Sequence, residues 1–172
     1  GNPVATQKTF DGLKKTGVNT VRVPVAWSNF LTMEIPKEDG TVEKVTGANN
    51  MYKAVDAINT PMEGVTPATE DTYYRISTEL MDRIETVINY GLNDGMYIIF
   101  NWDGGWWGMF GAEEWDGTPL AQTDMKKNPI RYQAYKKYTD IWKQLSERFK
   151  EYSDHVIFEG ANEELSGRLN DD

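Results

Sequence analysis

The chain has 172 residues, 26% charged and 39% hydrophobic, and no cysteine, which allows one packed core but no disulfide, thiolate metal site or thiol nucleophile. Its 27 acidic against 18 basic residues give a formal net charge of −9, which repels phosphate backbones and anionic lipid and argues against nucleic acid and membranes as partners. Six Trp, nine Tyr and six Phe in so polar a chain point to flat apolar faces offered to a ligand, of which a sugar ring is one.

Gly1-Asn2-Pro3 opens the chain without an initiator Met or the basic and apolar regions of a signal peptide, and reads as a cut end. From about Ala5 to Trp27, a helical pattern with Phe10 and Leu13 on one face stops at Gly17, and Val18 to Ala26 follows as a strand. Val21, Val23 and Val25 take one side of that strand and face helices. Arg22 and Pro24 take the other, and on the concave side of a curved parallel sheet a buried Arg22 needs an acidic partner, for which Glu159 is the candidate.

Residues from about 28 to 70 are too long and too rich in Gly, Asn, Thr and Pro for an ordinary αβ connection, and read as an insertion. Within it, Glu38-Asp39-Gly40 between Leu31 to Ile35 and Thr41 to Val45 predicts a hairpin, because Asp-Gly accepts the positive φ of a tight turn. Ile76, Leu80, Ile84, Val87 and Ile88 then recur at helical spacing. Gly91 and Gly95 punctuate a turn before Met96 to Phe100, a continuous apolar run suited to a central parallel strand. Ala134, Tyr138, Ile141, Trp142, Leu145 and Phe149 form a third helical stripe, followed by His155 to Phe158 as a strand. Repeated α-then-β units predict a parallel sheet.

The predicted strands end in Trp27-Ser28-Asn29, in Asn101-Trp102-Asp103-Gly104-Gly105-Trp106-Trp107 and in Asn162-Glu163-Glu164. These are carboxyl ends, the edge at which parallel α/β architectures gather binding and catalytic groups. His155, at the opposite end of its strand, is not expected to act as catalyst or ligand. The tail Asn170-Asp171-Asp172 reads as solvated rather than as a calcium site, and no metal or cofactor is expected.

The stretch His155-Val156-Ile157-Phe158-Glu159-Gly160-Ala161-Asn162-Glu163 resembles the fourth-strand motif of family-five glycoside hydrolases, the cellulase family. Asn19-Thr20-Val21-Arg22-Val23-Pro24-Val25 resembles that family's second strand, and Trp102-Asp103-Gly104-Gly105-Trp106 its third-strand loop. The resemblance implies a retaining hydrolase of β-1,4-glucans of the cellulose or xyloglucan type. It implies Glu163 as general acid and base, Asn162 as the holder of the sugar 2-hydroxyl, Arg22 beneath the catalytic centre, and Trp102, Asp103, Trp106 and Trp107 on the substrate. A histidine usual in the family's third strand is missing, since Asn101 abuts Trp102 directly. The chain looks like strands two to four of eight: a partial (β/α)8 barrel, a single incomplete catalytic domain over residues 1–172, with about three parallel strands, flanking helices and the inserted loop. The compartment stays open, although a secreted parent enzyme is expected.

A retaining glycosidase needs its carboxyl groups about 5 to 5.5 Å apart. Glu159 lies four residues before Glu163, about 13 Å along an extended strand, and Glu164 turns to the opposite face. Asp103 is the best internal candidate, though its Gly-Gly neighbours suit a loop role instead. The resemblance implies that the nucleophile comes from a later strand outside this chain, and the isolated chain is expected to be inactive. Three strands with open edges predict a homo-oligomer or a complementing chain. Two other readings stay open: a noncatalytic sugar-binding module using Trp27, Trp102, Trp106, Trp107 and Trp115, and a small inverting hydrolase pairing Asp103 with Glu163.

Overall fold

The computed structural model describes residues 4–27, 30–46, 70–103 and 129–160. In chain order these form α1 (Gln7–Lys15), β1 (Thr20–Ala26), β2 (Leu31–Pro36), β3 (Val42–Thr46), β4 (Tyr73–Ile76), α2 (Thr78–Asn93), β5 (Tyr97–Asp103), α3 (Pro129–Phe149) and β6 (Val156–Glu159). At the start of α1, Thr9 Oγ1 accepts from the Thr6 amide at 3.1 Å. The helix stops at Gly17, whose φ of 91° turns the chain so that the Gly17 and Val18 amides donate back to the Lys14 and Leu13 carbonyls, a left-handed cap that favours glycine.

Strands β1, β5 and β6 form a parallel sheet in the order β1-β5-β6. The predicted αβ rhythm is therefore present, and the apolar run ending at Phe100 is the central strand, as its continuous hydrophobicity requires. Alternation sorts the sheet's faces. Val25, Ile98 and Phe100 are buried toward the helices with Phe10, Ile84, Ile88, Ile141, Leu145 and Phe149. Phe10 of α1 meets Tyr90 of α2, and Phe100 meets Trp142 and Phe149 of α3.

The stretch between β1 and α2 contains more structure than a hairpin. The expected β2–β3 hairpin is there, with Gly40 at φ 81° and Asp39 Oδ1 accepting from the Thr41 amide at 2.9 Å. Strand β4 pairs antiparallel with the other side of β2, so the second sheet runs β3-β2-β4. This corrects the expectation that Ile76 opens the second helix. Ile76 is a strand residue opposite Leu31, and the helix begins two residues later, at Thr78, because the Ser77 side chain accepts from the Leu80 amide and caps it. Leu31, Met33, Ile35, Tyr74 and Ile76 form the buried face of this sheet and continue the same core.

The outer edge of β4 is closed by side chains of α3. Asp140 Oδ2 accepts from the Tyr74 amide at 3.0 Å, Gln144 Oε1 accepts from the Ile76 amide at 3.0 Å, and Gln144 Nε2 donates to the Tyr74 carbonyl at 2.7 Å. A strand edge so occupied has no free groups there to template another chain. Lys137, buried one turn earlier on α3, lies over the Tyr74 ring at 5.8 Å, and burial holds its amine well below the usual lysine range.

Candidate active site

The polar face of the parallel sheet brings Arg22, Asn101 and Glu159 together near its carboxyl edge. Register places Arg22 beside Ile99 and Ile99 beside Ile157, with Asn101 opposite Glu159. The Arg22 guanidinium reaches across β5, and its Nε and Nη2 donate to Glu159 Oε2 and Oε1 at 2.7 and 2.5 Å. This fork-on-fork geometry fixes both side chains in one plane. The Arg22 hydrogen bonds hold the Glu159 carboxyl below the usual glutamate range against a smaller opposing effect of burial, and the neighbouring Asn101 amide pulls weakly in the same direction.

The expected Arg22–Glu159 pair is thus present, but its expected burial is not. The side chains are 43% and 32% exposed. Asn101 behaves differently. It is fully buried, and among the described residues neither Oδ1 nor Nδ2 has a partner at normal hydrogen-bond geometry, a costly state for an amide unless some group completes it. Sequence reasoning placed Asn101 at the carboxyl edge but gave it no role. The available signal was a polar residue ending an apolar run on the same strand face as the partner of Arg22.

Glu163, Asn162, Trp106, Trp107 and Trp115 lie outside the described residues, as do Gly104 and Gly105. Trp102 and Asp103 are placed as the last residues of β5, opposite Val25 and Ala26, which puts them at the carboxyl edge. Strand β6 ends at Glu159, four positions before Glu163. Trp27 is fully buried and belongs to the core, so it is not a sugar platform. Its position directly after β1 looked like a rim position, but the chain turns there into β2 and carries the indole inward. Glu159, engaged on both oxygens by Arg22, is not a second catalytic carboxylate. His155 stacks on Tyr97 with ring centroids 4.1 Å apart, and among the described residues no cluster of His, Asp and Glu is suited to a metal.

Cellulase (glycosyl hydrolase family 5) matches residues 1–170. The chain belongs to glycosyl hydrolase family 5. Endoglucanase B of Ruminococcus albus is 29% identical over 154 residues, which cover 90% of this chain and 24% of the relative. A broad-specificity endoglucanase structure from Clostridium cellulovorans has a TM-score of 0.55 at 29% identity, covering 94% of this chain and 32% of that one. A xyloglucan-specific endo-beta-1,4-glucanase from a metagenomic library, solved with cellotriose, has a TM-score of 0.53 at 28% identity, covering 95% of this chain and 33% of that one.

The fold is accordingly part of the family-5 (β/α)8 barrel. The chain spans about a quarter to a third of the length of these relatives. In this chain β1, β5 and β6 are neighbouring parallel strands, and the β3-β2-β4 sheet falls between the first two of them in sequence and meets α3 through β4.

Proposed function

We propose that residues 1–172 supply the acid–base half of a retaining β-1,4-glucan hydrolase, within one incomplete catalytic domain whose insertion is residues 28–70. The observation that carries this reading is that the Arg22–Glu159 pair anchors the end of β6, four positions before Glu163 in the sequence of a chain of family 5. In the first step Glu163 protonates the departing glycosidic oxygen while a carboxylate from outside these residues attacks the anomeric carbon. In the second, Glu163 takes a proton from the water that releases the sugar. Asn162 holds the 2-hydroxyl, Arg22 supports the charge beneath the centre, and Trp102, Asp103, Trp106 and Trp107 bind sugar rings of a cellulose- or xyloglucan-type chain. The endoglucanase relatives and the cellotriose bound to the xyloglucan-specific one support a β-glucan substrate.

The test is a reducing-sugar assay on carboxymethyl cellulose and xyloglucan. General acid assistance is worth roughly 10²- to 10⁴-fold, and half of a carboxylate pair cannot complete either step. Residues 1–172 alone are expected to give no turnover, and addition of a chain carrying the complementary barrel strands is expected to give turnover that Glu163→Gln abolishes. Turnover by residues 1–172 alone that depends on Glu163 overturns the reading. The outer edges of β1 and β6, unpaired among the described residues, support a further part of it: the sheet is extended by a second copy or by that complementing chain.

A further inference from the structure

The parallel sheet has two outer edges among the described residues, β1 and β6, and their backbones differ. The Tyr97 amide donates to the Asn19 carbonyl at 2.8 Å, and the Ile98 amide donates to the His155 carbonyl at 2.7 Å. With the register, these bonds fix every other rung of the two parallel ladders. Val21, Val23 and Val25 turn their backbone groups to β5, whereas Thr20, Arg22, Pro24 and Ala26 turn theirs outward. On β6, Ile157 and Glu159 face β5, and Val156 and Phe158 face outward. Pro24 has no N–H to offer, so the outer edge of β1 is interrupted. The outer edge of β6 keeps each of its donors and acceptors.

The side chains along β6 are balanced about Ile157. His155 precedes it by two positions and Glu159 follows it by two, on the same sheet face by alternation, while Val156 and Phe158 flank it on the other face. A two-fold axis at Ile157 sets a second β6 antiparallel to the first. Val156 of each copy then exchanges N–H···O bonds with Phe158 of the other, and every outward backbone group of both residues is satisfied. Ile157, 40% exposed, meets its own counterpart in a close pair. Glu159 of each copy stands opposite the imidazole of the other, an acceptor against a donor. The Arg22 bonds leave the Glu159 carboxylate with further lone pairs to accept with. An axis moved to Phe158 sets Ile157 against Glu159 and loses both matches.

We propose that β6 is a self-recognition strand: residues 1–172 pair through its outer edge with a second copy of the chain, antiparallel and in register about Ile157, and the interrupted β1 edge keeps the assembly at two copies. The occupant is a second copy because the strand is complementary to itself, apolar against apolar and His155 against Glu159. Addition of β6 to the β1 edge of another copy is the head-to-tail alternative, which runs on into open arrays, and it loses a rung at Pro24. The inference deepens the reading in which the sheet is extended, and it does not depend on Glu163.

Because the chain has no cysteine, single cysteines report the register. Ile157→Cys is expected to give a disulfide-linked dimer under mild oxidation, since the pair at the axis brings its Cα atoms to about 4.5 Å, within disulfide range. Phe158→Cys, which faces Val156 of the other copy, and Thr20→Cys on the β1 edge are expected to link about tenfold less. His155→Glu places like charges opposite each other twice and is expected to weaken the dimer about tenfold by light scattering. Pro24→Val restores the missing donor and is expected to yield species larger than a dimer. In the unsubstituted chain, an isotope-filtered NOE between His155 of one copy and Glu159 of the other is expected in a mixed-label sample. A monomer, a dimer without that NOE, or linkage through Phe158 or Thr20 as strong as through Ile157 overturns the proposal, and Pro24→Val that stays a dimer overturns the part given to Pro24. The hydrolase reading fails separately, when Glu163→Gln leaves turnover by the complemented enzyme intact.

Discussion

Arg22 and Glu159 sit on strands with β5 between them, and the guanidinium must lie across that middle strand to reach both carboxylate oxygens. Alternation along β1 and β6 puts both residues on one sheet face, so the partnership was legible in the sequence. Its exposure was not, because burial depends on what stands opposite the sheet. The exposure also limits its energetic weight to below about 1 kcal/mol, since water and salt screen such a pair. Glu159 has a lowered carboxyl pKa in the folded chain. Its contribution is therefore fully present above the ordinary glutamate value near 4.5 and is lost as the pH falls through the lower folded value. Glu159→Gln is expected to lower the melting temperature by up to about 4 °C at neutral pH, and the gap to wild type is expected to close as thermal scans are taken below pH 4. A gap that persists or widens in acid contradicts an ionised Glu159 partner.

The elements were legible where local chemistry decides them and obscure where contacts distant in sequence do. Asp39-Gly40 marks the β2–β3 turn on its own, and the stripes of α2 and α3 mark their buried faces. Strand β4 has four residues and merges in sequence with the first turn of α2. What makes it a strand is β2 on one edge and Asp140 and Gln144 of α3 on the other, residues 66 to 70 positions away. Gln144→Leu keeps the volume but leaves the Ile76 amide and the Tyr74 carbonyl without that partner, an expected loss of about 1–3 kcal/mol. Urea denaturation measures it, and hydrogen exchange at Ile76 is expected to rise more than at Ile98 in the central strand. The packing of α2 on β5 offers a second check. A Cβ on Gly91 would lie 2.7 Å from Ile98 Cγ1, and Ile98 is fully buried. Gly91→Ala therefore forces helix and strand apart, at an expected cost of about 1–3 kcal/mol.

At the scale of the molecule, the order β1-β5-β6 places the most hydrophobic strand in the middle and leaves β1 and β6 as edges among the described residues. Around β6 the surface is unusually apolar: Ile157 on the polar face and Phe158 on the helix face are each 40% exposed, and Tyr97 beside them is 40% exposed. The second sheet manages its β4 edge with Asp140 and Gln144, whereas β6 has no such side-chain cover among the described residues. An apolar strand with open backbone groups pairs with a like strand when one is available. Light scattering of residues 1–172 at micromolar concentration is thus expected to give a mass above the 19.6 kDa of one chain. Ile157→Lys, which sets a charge on each copy at that edge, is expected to return the mass to that of one chain while β5 stays protected from hydrogen exchange. A chain that scatters as a monomer at every concentration and unfolds in one cooperative transition contradicts self-association and counts equally against a complementing chain.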